Sequence, residues 1–258
     1  MKKLLSVLLV VVMLASICTV AAFSSSALEA PATKHTATYN NVKKGDILQY
    51  SYYLQCDKVI MNSQCETTYS DNLKPVEVLD EYGDPDLSSM LPSLVGSIDF
   101  NIDSTPIHFN FSHINGIKFY EKGCMLNLYF IVTKDGDASV TSNMKIMQAK
   151  DETLLVFDYK AQPGAEFEYT NSLTKPANAP EVKLIGDVDS SGSIDINDAS
   201  YVQKHSASIS LPKFDKDVAD VDMNGSIDIN DASYLQKYAA SIELPKTIIV
   251  GKYVTFAE

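Results

Sequence analysis

Tryptophan is absent from the 258 residues, and histidine and cysteine occur only four times each. Each scarcity removes a class of function. Without Trp the broadest stacking platform for sugar rings is missing, although 14 Tyr remain to build a smaller one. His35, His108, His113 and His205 share no spacing of the kind a zinc or triad site requires. Gly-x-Ser-x-Gly, His-Glu-x-x-His and phosphate-loop patterns are also missing. Bases are outnumbered by acids, 21 to 33, for a formal charge of −12. That balance argues against nucleic acid, whose phosphates need cationic neutralisation.

The long apolar run from Leu4 to Val20 follows Met1-Lys-Lys and precedes Ser24-Ser-Ser-Ala27. A charged start, an apolar middle and a small-residue patch predict a secretory signal over residues 1–27, cut after Ala27, with a short leader over 28–35. Ile17 before Cys18 is too bulky for a lipid-attachment motif. The chain is expected to be exported, extracellular and free of the membrane once cut. Removing Lys2 and Lys3 takes the formal charge from −12 to −14. Cys56, Cys65 and Cys124 then remain. Cys56 and Cys65 have the spacing to bridge a hairpin, and buried free thiols fit equally well.

From residue 36 to 174 apolar residues alternate with polar ones in short runs. Leu48, Tyr50, Tyr52 and Leu54 define one face; so do Met61, Ser63, Cys65, Thr67 and Tyr69. Ile107, Phe109 and Phe111 make a third, and Leu126, Leu128, Phe130 and Val132 a fourth. Period two, broken at Lys44-Gly-Asp46, Asn115-Gly116 and Lys134-Asp-Gly-Asp137, predicts an antiparallel β-sandwich. Leu154 to Tyr159, apolar on both sides, reads as a central strand. Asp86 to Val95 is the one helical excursion, limited by Pro92. The acids Asp80, Glu81, Glu121, Asp151 and Glu152 fall mostly in turns, which suits a solvated surface better than a paired-carboxylate cleft. Asn171 to Pro180, with Pro176 and Pro180, lacks periodicity and reads as a short linker, placed at 175–183. It is expected to let the flanking domains move.

The segment 184–258 is organised by a duplication. Asp187-Val-Asp-Ser-Ser-Gly-Ser-Ile-Asp-Ile-Asn-Asp198 recurs 33 residues later as Asp220-Val-Asp-Met-Asn-Gly-Ser-Ile-Asp-Ile-Asn-Asp231. Two polar turns rich in Asp would be the plain reading, but two copies in register carry a calcium-loop spacing. Positions 1, 3, 5, 7, 9 and 12 are Asp187, Asp189, Ser191, Ser193, Asp195 and Asp198, and then Asp220, Asp222, Asn224, Ser226, Asp228 and Asp231. Gly192 and Gly225 stand at the turn, and Ile194 and Ile227 at position 8 point to the core. Two Ca2+ ions are expected. No amphipathic helix leads into either loop, so each unit is a loop followed by one helix, with Val202, Leu235, Ala199 and Ala232 between the helices. Thr247 to Phe256, apolar beyond the repeat, is expected to clasp Val182-Lys-Leu-Ile185.

This loop–helix pair resembles the type I dockerin family, calcium-dependent modules that plug secreted proteins into the cohesins of cellulosomes. The resemblance implies a small all-α domain whose partner surface is Ile196, Asn197, Gln203 and Lys204, repeated as Ile229, Asn230, Gln236 and Lys237. Because the copies are identical at these positions, it also implies docking in two orientations. The middle domain is similar to the cohesin family, a jelly-roll sandwich that receives dockerins. The likeness lies in Val42-Lys-Lys-Gly-Asp-Ile47, in Tyr69-Ser-Asp-Asn-Leu73 with Val76 and Val78, and in Phe119 to Val132. Together the two resemblances imply a non-catalytic adaptor that binds a scaffold cohesin and receives other dockerin-bearing proteins, in a cell-surface-associated complex that degrades polysaccharide. A carbohydrate-binding sandwich delivered by its dockerin is the alternative, and a small enzyme of unfamiliar type a third.

Overall fold

The computed structural model describes residues 30–257; the expected signal over 1–27 lies outside the described residues. Strands β1 (Lys34–Val42), β2 (Ile47–Cys56), β3 (Val59–Tyr69) and β4 (Leu73–Leu79) follow one another through tight turns. A four-residue helix α1 (Leu87–Met90) comes next, then β5 (Ser97–Asn101), β6 (Ile107–Lys118), β7 (Gly123–Val132) and β8 (Gly136–Ala149). Short β9 (Leu154–Phe157) and β10 (Lys160–Ala161) precede β11 (Phe167–Thr174). Beyond it lie β12 (Lys183–Leu184), α2 (Ile196–Ser206), α3 (Ile229–Ala239) and β13 (Tyr253–Phe256).

Two sheets result. One runs β10-β9-β8-β3-β6-β5 with β1 also on β8; the other runs β11-β2-β7-β4-β13-β12. The antiparallel pairs β1·β8, β2·β7 and β3·β6 are nested, as in a long double ribbon folded over itself. That is the wrapping of a jelly roll. Between the sheets lies one core, in which Leu48, Tyr50, Tyr52, Leu54, Leu126, Leu128 and Phe130 meet Ile107, Phe109, Phe111, Val140 and Met144. Inside it, Tyr50 donates to Ser142 Oγ at 2.8 Å, which leaves that hydroxyl hydrogen-bonded where water cannot reach.

Several expectations are corrected. Leu154 to Phe157 is not central: β9 lies towards the sheet margin, with Leu154 and Phe157 exposed, and the chain turns left-handed at Asp158 and Tyr159. The helical excursion shrinks to α1, capped by Asp86, whose carboxylate accepts the Ser88 and Ser89 amides, and ended before Pro92. Asn171 to Thr174 belong to β11 rather than to a linker. The sandwich is not wholly antiparallel, and the C-terminal domain is not all-α, because β13 pairs in parallel with β4 and antiparallel with β12.

That pairing also corrects the expectation of a mobile linker. Thr174 and Lys183 sit on opposite edges of a six-stranded sheet, five strand spacings or about 24 Å apart. The intervening chain reaches about 30 Å at full extension, so it has little slack. Lys175 is tied to Asp46 at 2.7 Å, and Asn178 to Glu181 lie beside Asn127 and Tyr129 of β7. The linker is a strap across the sheet, and the two domains share that sheet.

Candidate functional site

Each acidic loop folds on its own backbone. At position 6, Gly192 and Gly225 take φ of +86° and +84°, a region costly for any residue with a Cβ. Ser190 and Met223 at position 4 are also left-handed. The turn points amides inward: Asp187 accepts Ser191 N at 2.9 Å and Gly192 N at 2.8 Å, and Asp220 accepts Asn224 N at 3.2 Å and Gly225 N at 2.7 Å. Ser191 Oγ donates to the Ser193 carbonyl at 3.0 Å, and Asn224 Oδ1 accepts Ser226 N at 2.9 Å.

At position 12, Asp198 and Asp231 close the loops from the first turns of α2 and α3. Asp198 accepts Val188 N at 2.9 Å and Asp195 N at 2.7 Å; Asp231 accepts Val221 N at 2.9 Å and Asp228 N at 2.8 Å. Asp195 and Asp228 in return cap Asn197 N and Asn230 N, completing a capping box at each helix start. Thus the structure brings Asp187, Asp189 and Asp198 together, and likewise Asp220, Asp222 and Asp231, with one carboxylate oxygen from each residue of a triad within 4.8 Å of the others. The position-9 aspartates stand beside these triads as helix caps.

The donor set fits calcium. It is all oxygen, which a hard cation prefers, and the loops add carbonyl and side-chain oxygens at positions 5 and 7. Asp198 and Asp231 are fully buried. Burial pushes both carboxyls, and that of Asp220, above the usual range, and the neighbouring aspartates push the same way. Clustered, buried negative charge is what a bound divalent cation neutralises.

Behind the loops, Val188, Val221, Ala199, Val202, Ala232 and Leu235 are buried in one small core, with Ile194 and Ile227 half-buried against it. The predicted partner residues lie outside this core. Ile196 and Ile229 are 56% and 58% exposed, and Ile209 and Ile242 just after the two helices are exposed to the same degree. Asn197, Asn230, Gln203, Lys204 and Lys237 are exposed as well, and Gln236 is partly so. Tyr201 and Tyr234, which sequence reasoning passed over, belong to the same surfaces: Lys204 and Lys237 lie 5.4 and 5.3 Å from their ring centroids. The signal was there, since the pairs stand three apart on a helix.

Elsewhere Asp80, Asp151 and His205 have local structural partners. Asp80 accepts Tyr82 N and Asp84 N in its turn, and hydrogen bonds from Lys58 and Thr153 hold Asp151 down at about 2. His205 stacks on Phe214 with centroids 4.4 Å apart. Cys56, Cys65 and Cys124 are free thiols, which resolves the alternative left by the sequence.

The C-terminal unit is thus a pair of acidic loop–helix repeats with a twofold-repeated exposed face. Residues 185–239 match the family model of the dockerin type I domain, and this segment is a type I dockerin. Dockerins bind calcium and dock on cohesin modules. No curated protein matches the chain. Among the described residues no helix is long and apolar enough to cross a membrane.

Proposed function

We propose that the protein is a non-catalytic, exported adaptor of a cellulosome-like polysaccharide-degrading assembly. Its dockerin plugs into a scaffold cohesin when calcium is bound, and its sandwich receives the dockerin of another protein. The observation that carries the first half is the pair of exposed surfaces centred on Ile196 and Ile229, each beside an acidic loop closed by a buried aspartate, Asp198 or Asp231. A small apolar centre with an amide and lysine rim suits a protein partner.

The second half draws support from the nested strand order and from where the cohesin-like motifs fall. Lys43 to Asp46 form the β1–β2 turn, Ser70 to Asn72 the β3–β4 turn, and Gly123 to Phe130 lie on β7. A second reading, a glycan-binding sandwich, is favoured by one feature. A cleft of about 590 Å³ between the outer face of β7 and the strap is lined by Tyr129, Phe256, Asn127 and Asn178. Aromatic and amide groups together suit a sugar.

The test uses the calcium-loaded chain carrying Ile196→Asp and Ile229→Asp, which silence its own plug. It is offered dockerin-bearing proteins and, separately, insoluble cellulose and xylan. Capture of dockerins alone supports the adaptor; binding to polysaccharide alone replaces it with the second reading.

A further inference from the structure

The small core behind the calcium loops is not built by the dockerin alone. Leu79, the last residue of β4 in the sandwich, is buried in it beside Ile185, Val188, Val218, Val221 and Leu235. In exchange, Val254 from the segment after α3 is buried while its strand β13 lies along β4, Tyr253 opposite Val76 and Phe256 opposite Leu79. Each domain has lent the other a strand end.

Both calcium loops are tied to this exchange through their backbones. Asp187 N donates to Leu184 O at 3.0 Å, and Leu184 pairs with Tyr253 across β12 and β13. Ile249 N donates to Val221 O at 3.2 Å, fixing the start of the same segment to the second loop. On the sandwich side, Ala257 N donates to Leu79 O at 2.7 Å, and Lys252 is paired with Glu77 at 3.2 Å and Asp103 at 2.6 Å. Val188 and Val221, at position 2 of the loops, are fully buried and present their amides to Asp198 and Asp231. The residues bonded to the closing carboxylates Asp198 and Asp231 therefore share one core with Leu79 and Val254.

We infer that calcium occupancy of the dockerin controls the β4 edge of the sandwich. With the ions bound, β13 covers that edge. Without them, repulsion within the triads opens the loops, the shared core loses Val188 and Val221, and β13 leaves β4. The uncovered edge then offers unpaired backbone groups and the apolar Val76 and Leu79 to solvent. The sandwich's other strands keep their own core and remain folded. This inference rests on the calcium reading of the loops. It adds that the ion is sensed by the neighbouring domain.

Hydrogen exchange of the full chain, with calcium and with chelator, tests it, with helical circular dichroism recorded in parallel. The expected result is helix loss in chelator together with at least about tenfold faster exchange across Val76 to Leu79, while amides of β2 stay protected. Helix loss with unchanged β4 exchange overturns the coupling and leaves the calcium reading intact. No helix loss overturns both. Because coupling is reciprocal, Leu79→Ala in the sandwich should weaken calcium binding to the loops about three- to tenfold in a titration of the metal alone. Unchanged affinity in a folded Leu79→Ala protein also overturns the inference.

Discussion

Asp198 accepts the amide of Val188 at 2.9 Å while its own residue sits in the first turn of α2, and Asp231 repeats the contact with Val221 at 2.9 Å. One carboxylate thus joins the start of each loop to the helix that follows, and both carboxylates are buried beside two others. Replacing either should cost its loop the ion. In Asp198→Ala and Asp231→Ala, calorimetry should find one calcium site weakened by on the order of tenfold or more, with the other retained. Chelation of the unaltered protein should abolish the helical circular dichroism of α2 and α3; a spectrum unchanged in chelator would falsify the calcium role.

The two exposed faces predict an asymmetry between single and double substitution. Ile196→Asp or Ile229→Asp alone leaves one face intact, so affinity for a cohesin should fall only about twofold, the statistical share of one of two equivalent surfaces. The double variant should lose at least about thirtyfold, the equivalent of a 2 kcal/mol interface anchor. A single substitution as damaging as the double would mean that one orientation is used.

Val254 fills a buried position shared by β13 and the dockerin core. Val254→Ala should destabilise the calcium-loaded protein by about 2 kcal/mol through lost burial and a cavity. For a chain of this size that is a drop in Tm of about 4–8 °C. Removing residues 247–258 should lower Tm further, and no shift in calorimetry would rule out the clasp.

How much of this was legible follows from which forces act locally. Leu48, Tyr50, Tyr52 and Leu54 could be assigned to one face because strand periodicity is written in neighbouring residues. The gathering of Asp187, Asp189 and Asp198, and of Asp220, Asp222 and Asp231, was legible because loop geometry fixes their spacing. Leu154 to Phe157 misled, since two-sided hydrophobicity describes a central strand and also a short strand next to the sheet margin with Leu154 and Phe157 left exposed. The placement of Val254 beside Glu77 was not legible: pairing across so many residues depends on what the whole fold leaves open. The expectation that Thr247 to Phe256 would meet Val182 to Ile185 caught one partner of β13 and missed the other.

Lys252 supplies a pH dependence. Burial opposes its charge, but the Asp103 and Glu77 carboxylates outweigh burial and raise the ammonium above its ordinary value of 10.5. A cation whose folded pKa is raised contributes stability that is complete below the unfolded pKa and lost as pH climbs through the folded one. The melting temperature should therefore begin to fall above about pH 10.5, and the fall should be shallower in Lys252→Met. Equal slopes in the two proteins would remove Lys252 from the account.

The free thiols should be inert. Burial pushes Cys65 up to about 12 and raises Cys56 and Cys124 as well, so little thiolate forms at neutral pH. A thiol-reactive dye should leave Cys56 and Cys65 untouched in the native protein, with slow labelling confined to the partly exposed Cys124. Denaturation should release all three. Rapid native labelling of Cys65 would contradict its burial.

The strap and the shared sheet bear on how the molecule would carry force. A pull exerted on the docked C-terminal module reaches the sandwich by two routes: covalently along residues 175–182 into β11, and laterally from β13 into β4. Those strands are opposite flanks of the same sheet's original four, so tension is divided across its width. Parallel β13 and β4 would slide past one another with their hydrogen bonds strained together. The joint is built as a load-sharing mount, with a tether on one side and a glued seam on the other.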